Sequence, residues 1–450
     1  NLIAVGNQNI IINGNPSKSF FKSKYSKYTN FGLQKFRIDQ QGQSNIQLSK
    51  KTNISFKIPR YGDLLMDTYL CITLPNIWSP IFKNINGSIH EYRPYEFQWI
   101  KNIGCQIIDE VVFKIGTTVV QKYSGNYLQN VVARDFDNNK KNLFDIMTGN
   151  VKELYDPANY SNRNDNYPNA YKKETVDISN IEPSIYKYDL YIPLNCWFSM
   201  LTTNALPLVC LQYSEVIIDV TLKSLEDLFT IKNVLDNSYN SYNEISRIRA
   251  VQSTNEAYAF YKFIQEPPVK DISLTTQYLD KRTNINSDIH LMTTQCFLDE
   301  EERSLFAKNT QDYLIKQVQE YKFEKINKSN KIKLETNGLV SDWMWYFQRD
   351  DVDKRNEWCN YTNWPYENSI PNSLEKLYDS NYNQIYYHTK NVYNLNDMSK
   401  NIYITGYEPS IYEQINKKEI LKKFAIIVDG KYRENSFLSG IYSKIEKYTN

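Results

Sequence analysis

The chain has 450 residues, with 53 Lys plus Arg against 51 Asp plus Glu, a formal net charge of +2. That balance excludes an arginine-rich nucleic-acid coat or an acidic solvating tail as its main business. Hydrophobic residues at 41% and charged residues at 23% fit a folded chain of about two to four domains and exclude a disordered one.

In chain order, residues 17–28 come first, reading SKSFFKSKYSKY. Lys18, Lys22, Lys24 and Lys27 interleave with Phe20, Phe21, Tyr25 and Tyr28. Such a mix suits an anionic membrane surface, a single-stranded nucleic acid or another partner; a lysine-bearing edge segment looks the same. Strands are expected at 53–58 and 68–74. Residues 110–120, EVVFKIGTTVV, put Val111, Phe113, Ile115 and Val119 on one face. Residues 156–184 are rich in Asn, Asp, Tyr and Pro and read as a loop, followed by a strand at 186–192. Residues 212–223 alternate cleanly: Val216, Ile218, Val220 and Leu222 face one way, Glu215, Asp219 and Lys223 the other. That is a half-buried antiparallel strand. A second polar stretch, 225–286, contains Pro267-Pro268.

Beyond it, strands are expected at 289–298, 313–323 and 343–347. Residues 299–307, DEEERSLFA, read as a short helix with Asp299 as cap, Glu302 three residues on and an acidic first turn. Residues 410–423 suggest another helix. Asp429-Gly430, between strand-like arms in 424–434, is a hairpin signal. Many strands with few short helices give an all-β sandwich or barrel. The expected organisation is an N-terminal arm 1–30, a first β domain 31–225, a connecting segment 226–285 and a second β domain 286–450.

Signatures of chemistry are scarce. There is no P-loop, no GxGxxG after a strand, no HExxH and no GxSxG, so no catalytic residue, cofactor or metal is nominated. The six cysteines contain no CxxC and the three histidines are far apart, which reads as isolated reduced thiols and neither zinc sites nor a disulfide framework. The acidic run Asp299–Glu302 is a solvated helix start rather than a metal cluster. Four of the seven tryptophans, Trp343, Trp345, Trp358 and Trp364, fall within 343–364 near Asp342, Asp350, Asp351 and Asp353. Flat aromatics beside carboxylates can form a sugar platform, with Trp358 and Trp364 as its contacts, or a sandwich core and subunit contact; the second reading is preferred. Five Asn-x-Ser/Thr triplets are what so Asn-rich a chain yields by chance. No run approaches the eighteen or so apolar residues of a membrane span. The first residue is Asn1 rather than Met, so a missing N-terminus is expected.

Several segments together resemble the major capsid proteins of nucleocytoplasmic large DNA viruses. NGNPSKSFFKSKYSKYTNF (13–31) looks like the family's opening, and FKIPRYGDLLMDTYLCITLP (56–75) is similar to its Pro-x-Tyr-Gly-Asp segment and the strand after it. YIPLNCWFSMLTTNALPLVCLQYSEVIIDV (191–220) is the strongest match, with its Pro-Leu, Trp-Phe, Leu-Pro-Leu and Gln-Tyr. CFLDEEERSLFAKNTQDYLIKQVQ (296–319) resembles the opening of the second domain, and NEWCNYTNW (356–364) and DGKYREN (429–435) resemble later landmarks. The matches run in family order across nearly the whole chain.

The resemblance implies a double jelly roll: two tandem eight-stranded antiparallel sandwiches with short helices in loops. It implies a homotrimer of pseudo-hexagonal outline that contacts neighbouring capsid trimers and minor capsid proteins, over an internal viral membrane. It implies no enzyme and no specific nucleic acid. Residues 1–30 are then expected on the inner side of the shell, with Lys18, Lys22, Lys24 and Lys27 in partner contact, and the loop 156–184 on the outside or at a subunit contact. The chain stops at Asn450, before the family's Pro-Ser-Gly-like closing motif, so a truncated second roll is expected. The rivals are a carbohydrate-binding or carbohydrate-active β-sandwich built on Trp343–Trp364, and an adhesin or toxin β-domain, which lacks the expected signal peptide and paired cysteines.

Overall fold

Apolar alternation decides the main sheets, and it can be followed strand by strand in the computed structural model. The structure describes residues 29–42, 45–86, 89–164, 166–170, 181–232, 247–248, 258–268, 278–326, 328–335, 339–364, 367, 377–378, 384–388, 391–394 and 418–449. The strands of the first half are β1 (Phe31–Asp39), β2 (Asn45–Gln47), β3 (Thr52–Ile58), β4 (Leu64–Leu74), β5 (Ile81–Asn86), β6 (Ile89–Pro94), β7 (Phe97–Trp99), β8 (Ile108–Ile115), β9 (Thr118–Tyr123), β10 (Tyr188–Pro193), β11 (Leu206–Pro207), β12 (Val216–Leu222) and β13 (Phe229–Lys232). They are followed by β14 (Arg247–Ile248), β15 (Asn284–Asn286) and β16 (Ile289–Leu298). Helices are short: α1 (Ile103–Gln106), α2 (Gly125–Asp135), α3 (Asn138–Met147), α4 (Lys152–Tyr155) and α5 (Glu300–Lys308).

Two antiparallel sheets supply most of the core. One has the order β1-β16-β4-β10, with β11 also on β4; the other has the order β3-β12-β8-β9. The expected alternation of β12 holds: Val216, Ile218, Val220 and Leu222 are all buried. Ile218 sits opposite Phe56 of β3 and Phe113 of β8, so three apolar side chains meet across neighbouring strands. From the other sheet, Leu70, Ile72, Leu190, Ile192 and Leu291 join the same cluster. Aligned apolar faces of this kind are what holds a sandwich together.

Several expectations need correction. Residues 110–120 are not one strand but a hairpin. Gly116, at φ +60°, turns the chain between β8 and β9, and Val119 is left exposed, apart from Val111 and Phe113. The stretch 226–285 is more than a connection. Phe229, Ile231, Tyr258, Phe260 and Phe263 are buried in the core, and Phe229 stacks on Phe97 at 5.0 Å between ring centres. The loop 156–184 is anchored to the core at Tyr167, while Asn159, Tyr160, Ser161, Asn162, Asn164 and Asn166 are exposed. Tyr167 is buried and its hydroxyl donates to the Phe97 carbonyl at 2.6 Å. Strand β16, expected in the second β domain, is hydrogen-bonded between β1 and β4, with Leu291 opposite Leu70.

Helices α2 and α3 were not anticipated. Ser124 caps the first by accepting from the Tyr127 amide at 3.2 Å, and Asp137 caps the second by accepting from the Lys140 amide at 2.6 Å. The entry into α2 depends on Gly125, because a Cβ there would lie 1.9 Å from the Cys105 carbonyl oxygen. Helix α5 forms where expected, with the Asp299 carboxylate accepting from the Glu300 amide at 2.8 Å.

In the second half, β17 (Leu377–Tyr378), β18 (Gln384–His388) and β19 (Asn391–Asn394) form a meander, and β20 (Lys423–Val428) and β21 (Lys431–Leu438) form a hairpin. Asp429 and Gly430 both take positive φ, 49° and 77°, the backbone a two-residue hairpin turn requires. The expected helix 410–423 does not form over 418–423, and residues 410–417 lie outside the described residues. The expected strands 313–323 and 343–347 do not form; both segments are irregular. They lack a backbone ladder among the described residues. Side chains tie the neighbourhood instead: Lys316 pairs with Asp342 at 2.5 Å, and the Tyr321 hydroxyl donates to the Glu335 carbonyl.

Candidate assembly interface

Two kinds of surface bear on function: the aromatic segment 343–364, and the apolar side chains the sandwich leaves in solvent. The aromatic segment turns inward. Asn356 holds a left-handed conformation, φ +54°, which aims its side-chain amide at the first half of the chain. That amide donates to the carbonyls of Glu226 at 2.7 Å and Phe229 at 2.9 Å. The Trp358 indole N–H donates to the Asp227 carbonyl at 2.8 Å. The Lys223 ammonium lies 4.9 Å from the centre of the Trp358 ring and donates to Gln106 Oε1 at 3.2 Å. Burial pushes the Lys223 amine below its ordinary range.

The next residues complete a clasp. The Cys359 thiol donates to the Lys101 carbonyl at 3.4 Å and receives the Asn102 side-chain amide at 3.6 Å; burial pushes its pKa up to about 11. A thiol held in that state is a packing group and not a nucleophile at neutral pH. Asn360 donates to the Trp364 carbonyl at 2.8 Å and accepts from the Thr362 hydroxyl at 2.6 Å, which closes a local loop. Arg349 and Arg355 both grip Asp351, at 2.9 and 2.6 Å. The Arg349 guanidinium, first, holds that carboxyl well below the usual carboxylate range.

Trp358 is therefore committed through its N–H and through a lysine over its ring. Trp364 carries Lys418, whose ammonium is 5.4 Å from the ring centre. Asp351, one of the carboxylates that suggested a sugar cleft, is spent on two arginines. This arrangement gives the sugar-platform alternative no support. Among the described residues, no group of three His, Cys, Asp or Glu side chains is placed to hold a metal ion. Lys18, Lys22, Lys24 and Lys27 lie outside the described residues.

The exposed apolar side chains were not foreseen from the sequence, because alternation reports which residues share a face and not which faces find a partner. Strand β1 is an edge of its sheet and shows Phe31 and Leu33 to solvent. Helix α3 buries Phe144 and leaves Leu143 and Ile146 outside, with exposed Tyr186 and Tyr191 before and within β10. Met200, Leu201 and Tyr213 are exposed on the loop between β10 and β12. Tyr and Met are enriched in protein interfaces.

Comparison with known proteins completes the picture. In sequence, the chain is 28% identical over 338 residues to Capsid protein 1 of Acanthamoeba polyphaga mimivirus, covering 75% of this chain and 46% of that one. It is 25% identical to the Major capsid protein of Phaeocystis pouchetii virus, covering 78% of this chain and 58% of that one. The chain thus spans about half the length of these relatives. In structure, it is similar to the PBCV-1 virus capsid, quasi-atomic model, with a TM-score of 0.51 and 17% identity, over 96% of this chain and 76% of that one. The fold is all-β, of the double jelly-roll capsid class. The family profile described as Major capsid protein N-terminus matches residues 19–265, more than half of the chain, and the chain belongs to that family.

Proposed function

We propose that the protein is a structural major capsid protein, not an enzyme, whose work is assembly. It trimerises into pseudo-hexagonal capsomers that tile the icosahedral shell of a large double-stranded DNA virus, built in the host cytoplasm. The observation that carries this reading is the family match over 19–265, laid on a two-sheet sandwich that turns apolar groups outward. Two rolls per chain and three chains per capsomer give six near-equivalent corners, which pack hexagonally. In this organisation residues 31–225 and 286–450 belong to successive rolls, with β16 crossing into the first sheet. An obligate trimer interface of this kind buries more than about 2,000 Å² per pair, with an apolar centre. Contacts between trimers are smaller and more polar, which lets a growing shell correct errors.

In the same reading residues 1–30 face the shell interior, where Lys18, Lys22, Lys24 and Lys27 meet minor capsid proteins or the internal membrane. The described part of 156–184 lies near the outer surface or a subunit contact.

The test is mass photometry with negative-stain microscopy on the full viral gene product. A particle of three times the subunit mass with a hexagonal outline is the expected result. A stable monomer that stays monomeric beside its co-expressed viral partners would overturn the reading.

A further inference from the structure

A groove opens between helix α5, the loop 202–205 and the segment 311–314. It measures about 610 Å³, and its lining is mixed: Leu64, Ala205, Phe306, Tyr313 and Leu314 share it with Thr202, Thr203, Asn204, Gln311 and Asp312. Its shape is fixed by the Tyr313 hydroxyl, which donates to the Ala205 carbonyl at 3.0 Å, and by the Cys210 thiol, which donates to the Phe306 carbonyl at 3.2 Å. Leu314 is 98% exposed, and Leu201 and Leu305, the chain neighbours of lining residues Thr202 and Phe306, are 62% and 57% exposed. Asp312 is the one carboxylate of the lining; Glu302 lies one helical turn before Phe306, and exposed Asp299, Glu300 and Glu301 form the start of the same helix. Of the two basic residues of α5, Arg303 is occupied by Asp63 at 2.8 Å and Lys308 lies exposed in the last turn.

The chain's own N-terminal segment ends beside this place. Phe31, at the start of β1, pairs with Leu298, the residue before Asp299. In the order β1-β16-β4, Leu64 of the groove sits opposite Cys296, which sits opposite Leu33. Leu33 of β1 is therefore two strand spacings, about 10 Å, from Leu64, and Phe31 lies two residues further along. Three extended residues cover that distance. Beyond Asn30 and Thr29, the N-terminal side holds Tyr28, Lys27, Tyr25, Lys24, Lys22 and Phe21, positive charges interleaved with aromatics. Their chemistry suits a groove of mixed apolar and hydrogen-bonding lining that carries Asp312 and ends near the acidic start of α5.

We propose that, in the unassembled chain, residues 17–28 dock on the groove between α5 and the 202–205 loop of the same molecule. Aromatic side chains fill the groove, and lysines meet Asp312 and the acidic start of α5. The tether makes docking within one chain win over a second copy, since it holds the segment at millimolar effective concentration. The inference does not depend on the capsid reading, and its failure would leave that reading intact. An assembly partner would have to displace the segment.

The experiment is zero-length carbodiimide cross-linking of the full chain, as an equal mixture of isotope-labelled and unlabelled protein, read by mass spectrometry. The expected result is amide links from Lys18, Lys22, Lys24 or Lys27 to Asp299, Glu300, Glu301 or Asp312, all within unmixed pairs. The double substitution Leu201→Ser and Leu314→Ser, with unchanged far-ultraviolet circular dichroism, lowers their yield at least about fivefold, and 0.5 M salt lowers it similarly. Absent links, mixed-label links, or links indifferent to the leucine substitutions would each overturn the proposal. So would links that form only when phosphatidylserine vesicles are added, which would assign the segment to a lipid surface.

Discussion

The sandwich of β3, β4, β8, β12 and β16 and the described residues of the irregular stretch 311–346 are built from similar side chains, yet they end in opposite places. Phe113, Ile218 and Leu291 are fully buried, while Leu314 and Leu339 are fully exposed. Both regions alternate apolar and polar residues. The difference is the partner: each sandwich strand has a backbone ladder on at least one side, and facing apolar rows close over it. Among its described residues, the stretch 311–346 shows side-chain ties without a backbone ladder, and a partial footing on the core through Tyr313, Ile315 and Val318. Alternation thus encodes a face, and only a ladder with a facing sheet turns that face into a core.

The comparison breaks most sharply at Phe113. Phe113→Ala should cost about 3–5 kcal/mol, seen as a lower urea midpoint, because a fully enclosed ring leaves a cavity. Next comes the clasp. Asn356→Ala should cost about 2 kcal/mol or more, since it leaves the Glu226 and Phe229 carbonyls without their donor and puts alanine at positive φ. Asn356→Gly keeps the turn and so isolates the two hydrogen bonds; a cost equal to that of alanine would show that the conformation is not strained.

Acid should loosen the clasp before the sandwich. The folded pKa of Asp351 is depressed by Arg349 and Arg355, so its contribution is fully present above the unfolded carboxylate value of about 4 and is lost as pH falls through the lower folded value. Tryptophan fluorescence should report this below about pH 4, and Asp351→Asn should remove that part of the acid response. The smallest effect is expected at Leu314→Ser, within about 0.5 kcal/mol, because a side chain already in water loses little. A large loss there would mean that the exposed stretch holds the fold after all.

The sequence made the regular strands legible. The boundaries expected for β3, β10, β12 and β16 lie close to those observed, because each carries a period-two pattern long enough to read. Helices α2 and α3 were hidden by their composition. Asn-rich turns such as GNYLQN and NNKKN resemble loops, and only the caps at Ser124 and Asp137 betray them. The hairpin at Gly116 was masked because Val119 and Val120 extend an apolar run across the turn. The fate of Trp358 was not readable at all. It is set by Lys223, Asp227 and Gln106, more than a hundred residues away. Reading the order of strands in space needs the same long-range information.

That long range has a consequence in time. Strand β4 finds its neighbour β16 only after more than two hundred further residues have been made, since Leu70 pairs with Leu291. At roughly 5–20 residues per second on the ribosome, the first sheet waits about ten to forty seconds with one edge of β4 unpaired. A nascent chain in that interval presents an open apolar template to any other nascent chain on the same polysome. The protein thus has a translational window, between residue 74 and residue 298, in which a chaperone or a slow codon run decides between folding and clumping.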